Sequence, residues 1–219
     1  MIDTIQVKIC GLTRLADAER ARALGADYLG FVLRPRSPRC VTLGQYAPMA
    51  GRLPAGHRVA VSVEPAAGDL ARMRDAGFDR FQVHFRHDVP SGTIEAWSRE
   101  AGAGNLWLAP KLPPGVDIPA PWMAMAETFL VDTFDPALFG GTGRTGDWPK
   151  FRRHRESHPE KTWILSGGLT PANVGGALAG SGARFVDVNS GVESAPGVKD
   201  PAKLEAFLAA ARGAAGTSA

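Results

Sequence analysis

The sequence predicts an α/β protein of one domain, a (β/α)8 TIM barrel, and three observations lead there. Short, nearly continuous apolar stretches such as Tyr28-Leu29-Gly30-Phe31-Val32 alternate with helix-length segments, the pattern of parallel strands buried on both faces. The same helix-to-strand join recurs, as Gly25-Ala26-Asp27 before Tyr28, Gly77-Phe78-Asp79 before Arg80, and Gly182-Ala183-Arg184 before Phe185. Those joins are spaced by close to two and four units of about 26 residues, and eight such units need about 210 residues. The chain has 219.

Residues 5–9 alternate apolar and polar side chains and read as the first strand. It stops at Cys10-Gly11. Thr13 is placed to cap a helix over 14–24, and Gly25 to end it in the left-handed conformation. The second strand covers residues 28–33. Further strands fall at 59–63, 80–83, 105–111, 129–132, 162–165 and 185–188, with helices at 43–52, 67–76, 93–101, 172–179 and 201–212. The segment 152–158 reads as an exposed helix. The fifth unit breaks the pattern, because Pro113, Pro114 and Pro119 forbid an ordinary helix. A Pro-rich loop replaces the fifth helix. The barrel domain spans 1–212, and 213–219 is a tail expected to fray.

A hydrophobic fraction of 44% with 21% charged residues excludes a disordered chain. Two cysteines, Cys10 and Cys40, with no C-x-x-C pair, exclude a disulfide scaffold and a thioredoxin-like motif. The N-terminus has no basic region leading into an apolar one, and no apolar run approaches the roughly 20 residues of a membrane span. A cytoplasmic protein with no membrane partner is expected. Lys and Arg number 25 against 22 Asp and Glu. The best basic run, Arg152-Arg153-His154-Arg155, is interrupted at once by Glu156, so no nucleic-acid partner is expected. That charge balance equally suits a phosphorylated or carboxylated small molecule.

The working face of a parallel barrel lies at the C-terminal ends of its strands, and the candidate residues are those that follow each strand. The seventh ends in Ser166-Gly167-Gly168, then Leu169, Thr170 as helix cap and Pro171; the eighth ends in Asn189-Ser190-Gly191. Glycines in two adjacent loops at these places favour a phosphate site over mere tight turns. Cys10 reads either as a small buried hydrophobe or as a reactive group with Lys8 on the same strand face. Asp132 either caps the loop that follows or donates a proton. Arg34, Arg36 and Arg39 form a solvated basic loop or an anion clamp. His84 and His87 have an H-x-x-H spacing with no obvious third ligand, so no metal is expected.

These residues together carry a resemblance. Lys8-Ile9-Cys10-Gly11-Leu12-Thr13, Gly30-Phe31-Val32, Ser37-Pro38-Arg39, Leu130-Val131-Asp132-Thr133, Gly140-Gly141-Thr142-Gly143-Arg144-Thr145, Ser166-Gly167-Gly168-Leu169 and Asn189-Ser190-Gly191-Val192-Glu193 make the chain similar, from residue 8 to about 200, to the phosphoribosylanthranilate isomerase family. The resemblance implies an Amadori rearrangement in tryptophan biosynthesis, with no cofactor. N-(5-phosphoribosyl)anthranilate would become 1-(2-carboxyphenylamino)-1-deoxyribulose 5-phosphate. It implies Asp132 as general acid at the ring oxygen and Cys10 as general base at C2′. Lys8, Arg39, Gln82 and His84 would surround the substrate, with Arg39 on its anthranilate side. Gly167, Gly168, Ser190 and Gly191 would hold the phosphate.

Three departures from the family pattern bear on substrate identity. Phe85 stands where a Gly follows the strand-four His, Gly146 where a Phe precedes Asp-Trp, and the fifth strand, Leu106-Trp107-Leu108-Ala109-Pro110-Lys111, is unusual. All three are expected to flank the aromatic side of the site. The alternatives left open are a related phosphosugar isomerase with another aminoaldose substrate, and a non-catalytic phosphosugar-binding barrel. The sequence leaves monomer and homodimer equally open.

Overall fold

The computed structural model describes residues 5–113, 115–132 and 147–214. Eight parallel strands follow one another round a closed barrel: β1 (Gln6–Ile9), β2 (Tyr28–Val32), β3 (Arg58–Val63), β4 (Arg80–Arg86), β5 (Leu106–Lys111), β6 (Thr128–Val131), β7 (Thr162–Leu165) and β8 (Phe185–Val188). Strand β8 closes on β1 in a register that sets Asp187 opposite Lys8. The surrounding helices are α1 (Leu15–Ala23), α2 (Leu43–Ala50), α3 (Asp69–Asp75), α4 (Ser91–Ala101), α5 (Trp148–Ser157), α6 (Val174–Ser181) and α7 (Pro201–Gly213). Between β5 and β6 the described chain forms only a 3-10 turn, Ala120–Ala124, as the prolines there require. Among the described residues no helix is long and apolar enough to cross a membrane.

The recurring glycine joins have one physical cause. Gly25, Gly77 and Gly182 all take positive φ, at 93°, 95° and 69°, and so turn the chain from a helix end into the next strand without Cβ strain. Strand β4 runs on to Arg86, three residues beyond its expected end. A short antiparallel hairpin, β9 (Glu193–Ala195) with β10 (Val198–Lys199), follows β8 and has no counterpart in the expected elements.

Alternation along the strands divides the buried residues into two layers. Val7, Ile9, Phe31, Phe81, Val83 and Phe85 face the helices, within the larger core. Val59, Val61, Trp107, Ala109, Leu130, Ile164 and Phe185 fill the barrel with Cys10. At the N-terminal end of the barrel, Tyr28 stacks on Phe185 with centroids 5.3 Å apart, and Trp107 meets both rings edge-on at 5.0 and 5.6 Å. That aromatic plug fills the barrel below the strands' C-terminal ends.

Several local expectations are corrected. Thr13 does not cap α1; the cap position is Arg14, and the Thr13 hydroxyl instead donates to the Gly197 carbonyl at 2.6 Å. Thr170 does not cap α6. The helix starts at Val174 after a turn in which Asn173 Oδ1 accepts from the Thr170 amide. The 152–158 stretch is not wholly exposed, since His154 is buried and stacks on Trp163 at 5.4 Å. Helix α7 continues through Gly213; the rest of the tail from 215 lies outside the described residues.

Candidate active site

A cavity of about 320 Å³ opens at the C-terminal ends of the strands. Val32, Val61, Val63 and Pro38 give it an apolar wall, and Arg34, Arg36 and Arg39 a basic rim. Cys10, Gln82, His84, Asp132, Ser166, Asp187 and Asn189 reach it from other strands. A recess of about 30 Å³ adjoins it, bounded by Gly167, Gly168, Ser190 and Gly191 and sharing Asp132, Ser166, Asp187 and Asn189 with the larger space. Of the residues singled out at the strand ends, Lys8, His87, Thr170 and Pro171 line neither space. Lys8 lies wholly buried behind Cys10, while His87 is exposed beyond β4. The H-x-x-H spacing therefore brings no pair of ligands to one place.

The recess depends on backbone shape. Gly167 and Gly168 both have positive φ, 95° and 63°, so the chain after β7 can coil with its amides turned toward one point. A Cβ on Gly191 would lie 1.9 Å from the Leu169 carbonyl oxygen. The loops after β7 and β8 are thus in backbone contact where the recess forms.

Beneath Cys10 lies a buried ion pair. Lys8 Nζ donates to Asp187 Oδ1 at 2.9 Å, and the Ser166 hydroxyl reaches Asp187 Oδ2 at 3.5 Å. Gly30 makes room for this lysine, because a Cβ there would sit 2.9 Å from Lys8 Cε. Burial works against the Lys8 charge, but Asp187 and the Cys10 sulfur outweigh it and raise its pKa above the ordinary lysine value. Burial pushes the Cys10 thiol up, against the downward pull of Lys8 and Lys199. The two nearby lysines thus do not offset burial, and the site holds Cys10 toward its thiol form.

Gln82 Nε2 and His84 Nε2 are 2.7 Å apart, and Gln82 Oε1 is buried with no partner among the described residues. Burial, with Lys8 and Arg34 nearby, drives the His84 pKa down to about 3. His84 is therefore a neutral ring that hydrogen-bonds without adding charge.

Arg39 lies over Gly11, where a Cβ would come 2.8 Å from its Cδ. Its guanidinium is gripped by Glu193, with Nε at 2.9 and 3.1 Å and Nη2 at 2.7 Å from the carboxylate. Lys199 Nζ in turn donates to Glu193 Oε1 at 2.9 Å and to Asn189 Oδ1 at 3.0 Å. Burial would raise the Glu193 carboxyl, yet Arg39 and Lys199 hold it below the usual range. Asp187, Glu193 and Lys199 carried no role in the sequence reading. Lys8 and Arg39, the partners of Asp187 and Glu193, lie 179 and 154 positions away in the chain.

Two of the three expected departures do not touch the cavity. Phe85 points away from it, buried between the rings of Trp97 and Trp122 at 5.5 and 5.2 Å. Trp107 belongs to the aromatic plug. Strand alternation thus puts both away from the aromatic side of the site, where the departures from the family pattern led one to expect them. Thr133, the run from Gly140 to Thr145, and Gly146 lie outside the described residues.

Comparison with known proteins agrees with this geometry. Residues 7–210 match the family model for N-(5'-phosphoribosyl)anthranilate (PRA) isomerase. An N-(5'-phosphoribosyl)anthranilate isomerase of Granulibacter bethesdensis is 39% identical over 214 residues, covering 95% of this chain and 99% of the relative. The crystal structure of phosphoribosyl anthranilate isomerase from Thermotoga maritima superposes with a TM-score of 0.79 at 30% identity, covering 96% of this chain and 100% of that one. A structure of the isomerase in complex with reduced 1-(o-carboxyphenylamino)-1-deoxyribulose 5-phosphate has a TM-score of 0.75 at 28% identity, with coverage of 96% and 100%. A barrel whose strand ends gather these residues, matched along nearly its full length, belongs to the N-(5'-phosphoribosyl)anthranilate isomerase family.

Proposed function

We propose that the protein catalyses the Amadori rearrangement of N-(5-phosphoribosyl)anthranilate in tryptophan biosynthesis, as a cytoplasmic enzyme acting on a small phosphosugar. The observation that carries the reading is the joined cavity: Cys10 and Asp132 line one space, and Asp132 also borders the glycine recess. A substrate with a phosphate at one end and an aromatic carboxylate at the other suits this shape. The recess takes the phosphate at backbone amides. The apolar wall and the arginine rim take the anthranilate.

Asp132 protonates the furanose ring oxygen, and the ring opens to a protonated Schiff base. That cation acidifies the neighbouring C2′ proton, which the Cys10 thiolate removes to give an enolamine and the thiol. Protonation at C1′ and loss of the O2′ proton yield the ketone. Burial holds Cys10 toward the thiol before substrate binds, so the thiol first gives up its proton to solvent and the base is the thiolate. Lys8, Lys199 and Arg39 outnumber Asp187 and Glu193 around it, so a thiolate completes the charge balance of the cluster. One acid and one base on separate strands suit a reaction with proton transfers at two substrate atoms. Gln82 and His84 offer neutral hydrogen-bonding groups beside the sugar.

The test is steady-state turnover of phosphoribosylanthranilate, made in place from anthranilate and phosphoribosyl pyrophosphate and followed by loss of its fluorescence. Strong wild-type turnover that disappears in both Cys10→Ala and Asp132→Asn supports the reading. A folded wild-type protein without turnover overturns it.

A further inference from the structure

The hairpin β9–β10 interrupts the βα repeat, and its two ends each carry a charged side chain with several partners near the cavity. Glu193 opens it and Lys199 closes it. The hairpin is pinned to the segment after β1. The Thr13 hydroxyl donates to the Gly197 carbonyl, and Asp17 Oδ2 accepts from the Lys199 amide at 3.1 Å. Gly197, at φ 80°, makes the turn, and its amide donates to Glu193 Oε1 at 3.2 Å. A carboxylate held from below by Lys199 and from the side by this amide has little freedom to follow a moving arginine. The arginine must conform to it.

The consequence is directional. A guanidinium can present a two-nitrogen edge to a carboxylate, and Glu193 occupies the Nε and Nη2 edge of Arg39. Nη1 has no partner among the described residues, and with the second N–H of Nη2 it forms the guanidinium's open end edge; Arg39 lines the cavity beside Cys10 and the apolar wall. We propose that Glu193 and Lys199 are positioning residues for the rearrangement: the clamp holds the Nε–Nη2 side of the Arg39 guanidinium so that its free Nη1–Nη2 end edge meets the substrate's aromatic carboxylate. The proposal rests on the reading of the site given above. It assigns the hairpin a part in orienting the anthranilate ring, and through it the C1′–C2′ bond, relative to Cys10.

The test compares two ligands across three proteins. The ligands are reduced 1-(o-carboxyphenylamino)-1-deoxyribulose 5-phosphate and its analogue with an unsubstituted phenylamino group. The proteins are wild type, Glu193→Gln and Lys199→Met, with affinities from calorimetry, kcat and KM from turnover, and folding checked by melting. Glu193→Asp serves as a further variant, since it keeps the charge and withdraws the carboxylate by one methylene. A loss of about tenfold to a hundredfold is expected for the carboxylate ligand, with the unsubstituted analogue unchanged and kcat falling with affinity. Equal losses for both ligands would mean a merely structural hairpin and overturn the proposal. Tighter binding of the carboxylate ligand would make Glu193 a competitor and overturn it too. Failure of the underlying site reading looks different: wild type itself would not distinguish the two ligands.

Discussion

The Lys8 ammonium stands 2.9 Å from Asp187 Oδ1 at the closing seam of the barrel, with the lysine side chain wholly buried and the aspartate nearly so. Strands β1 and β8 place the two residues directly opposite each other, so the pair ties together the first and last units. Removing one partner of such a pair leaves an uncompensated charge and costs about 3–5 kcal/mol, whereas replacing both by apolar groups is often neutral. We expect Lys8→Met to lose about 3 kcal/mol in urea unfolding and Lys8→Met/Asp187→Leu to regain at least half, with turnover lost in both. A double variant less stable than the single one would mean that the pair itself supplies net stability.

Gly30→Ala attacks the same pair from the neighbouring strand. Its Cβ would lie 2.9 Å from Lys8 Cε, 3.1 Å from Nζ and 3.2 Å from the Cys10 Cα. The lysine tip can move only by leaving Asp187, and the Cys10 backbone has nowhere to go. Overpacking of this kind costs about 1–3 kcal/mol, and turnover should fall by more than tenfold because both ends of the Lys8–Cys10 contact shift. Full activity in a stable Gly30→Ala protein would show that Lys8 need not stay where it is.

Phe85→Ala separates stability from specificity. The ring is packed against Trp97 and Trp122 on the helix side of β4, so its loss should cost about 3–5 kcal/mol of stability. With the cavity untouched, kcat and KM should stay within about twofold of wild type at a temperature where the variant is folded. A large rise in KM would return Phe85 to the list of substrate determinants.

The barrel was legible in the sequence for reasons that operate locally. A short apolar run bounded by turn residues, such as 28–32, reads as a doubly covered strand, and Gly25, Gly77 and Gly182 sit where helices end in the left-handed conformation. Cys10, Asp132 and the glycine loops follow from position at strand ends. What was missed lies across the chain. Asp187 hides within the apolar strand Phe185–Val188, and only barrel closure reveals its partner. Glu193 meets Arg39 from 154 positions away. The hairpin from Glu193 to Lys199 is too short to show a periodic pattern. Phe85 was misplaced because the extra residues of β4 continue its alternation past His84.

Gly191→Ala should damage the phosphate end alone. The added Cβ would meet the Leu169 carbonyl oxygen at 1.9 Å, and two backbones cannot yield as a flexible side chain could. The loops after β7 and β8 must part, which spreads the amides around the recess. KM should rise by about tenfold or more with a smaller change in kcat, because the phosphate is bound alike in ground and transition states. Inhibition by inorganic phosphate should weaken in parallel. Unchanged phosphate inhibition would place the anion elsewhere.

Acid should destabilise the protein through His84 before its carboxylates protonate. The folded-state pKa near 3 lies below the ordinary 6.5, chiefly because the ring is buried. The unfolded chain therefore takes up a proton as pH falls through about 6.5 while the native site stays neutral, and stability drops across the window from 6.5 down to about 3. Above 6.5 this contribution is constant. One such group gives a slope of at most about 1.4 kcal/mol per pH unit. His154, lowered by burial against the pull of Asp117, adds in the same sense. Urea midpoints measured between about pH 6.5 and pH 5, where carboxylates stay ionised, should fall in wild type and fall less steeply in His84→Asn. Parallel curves for the two proteins would mean that the His84 ring already accepts a proton in the folded state, and that the cavity carries a cation where a neutral hydrogen-bonding group is expected.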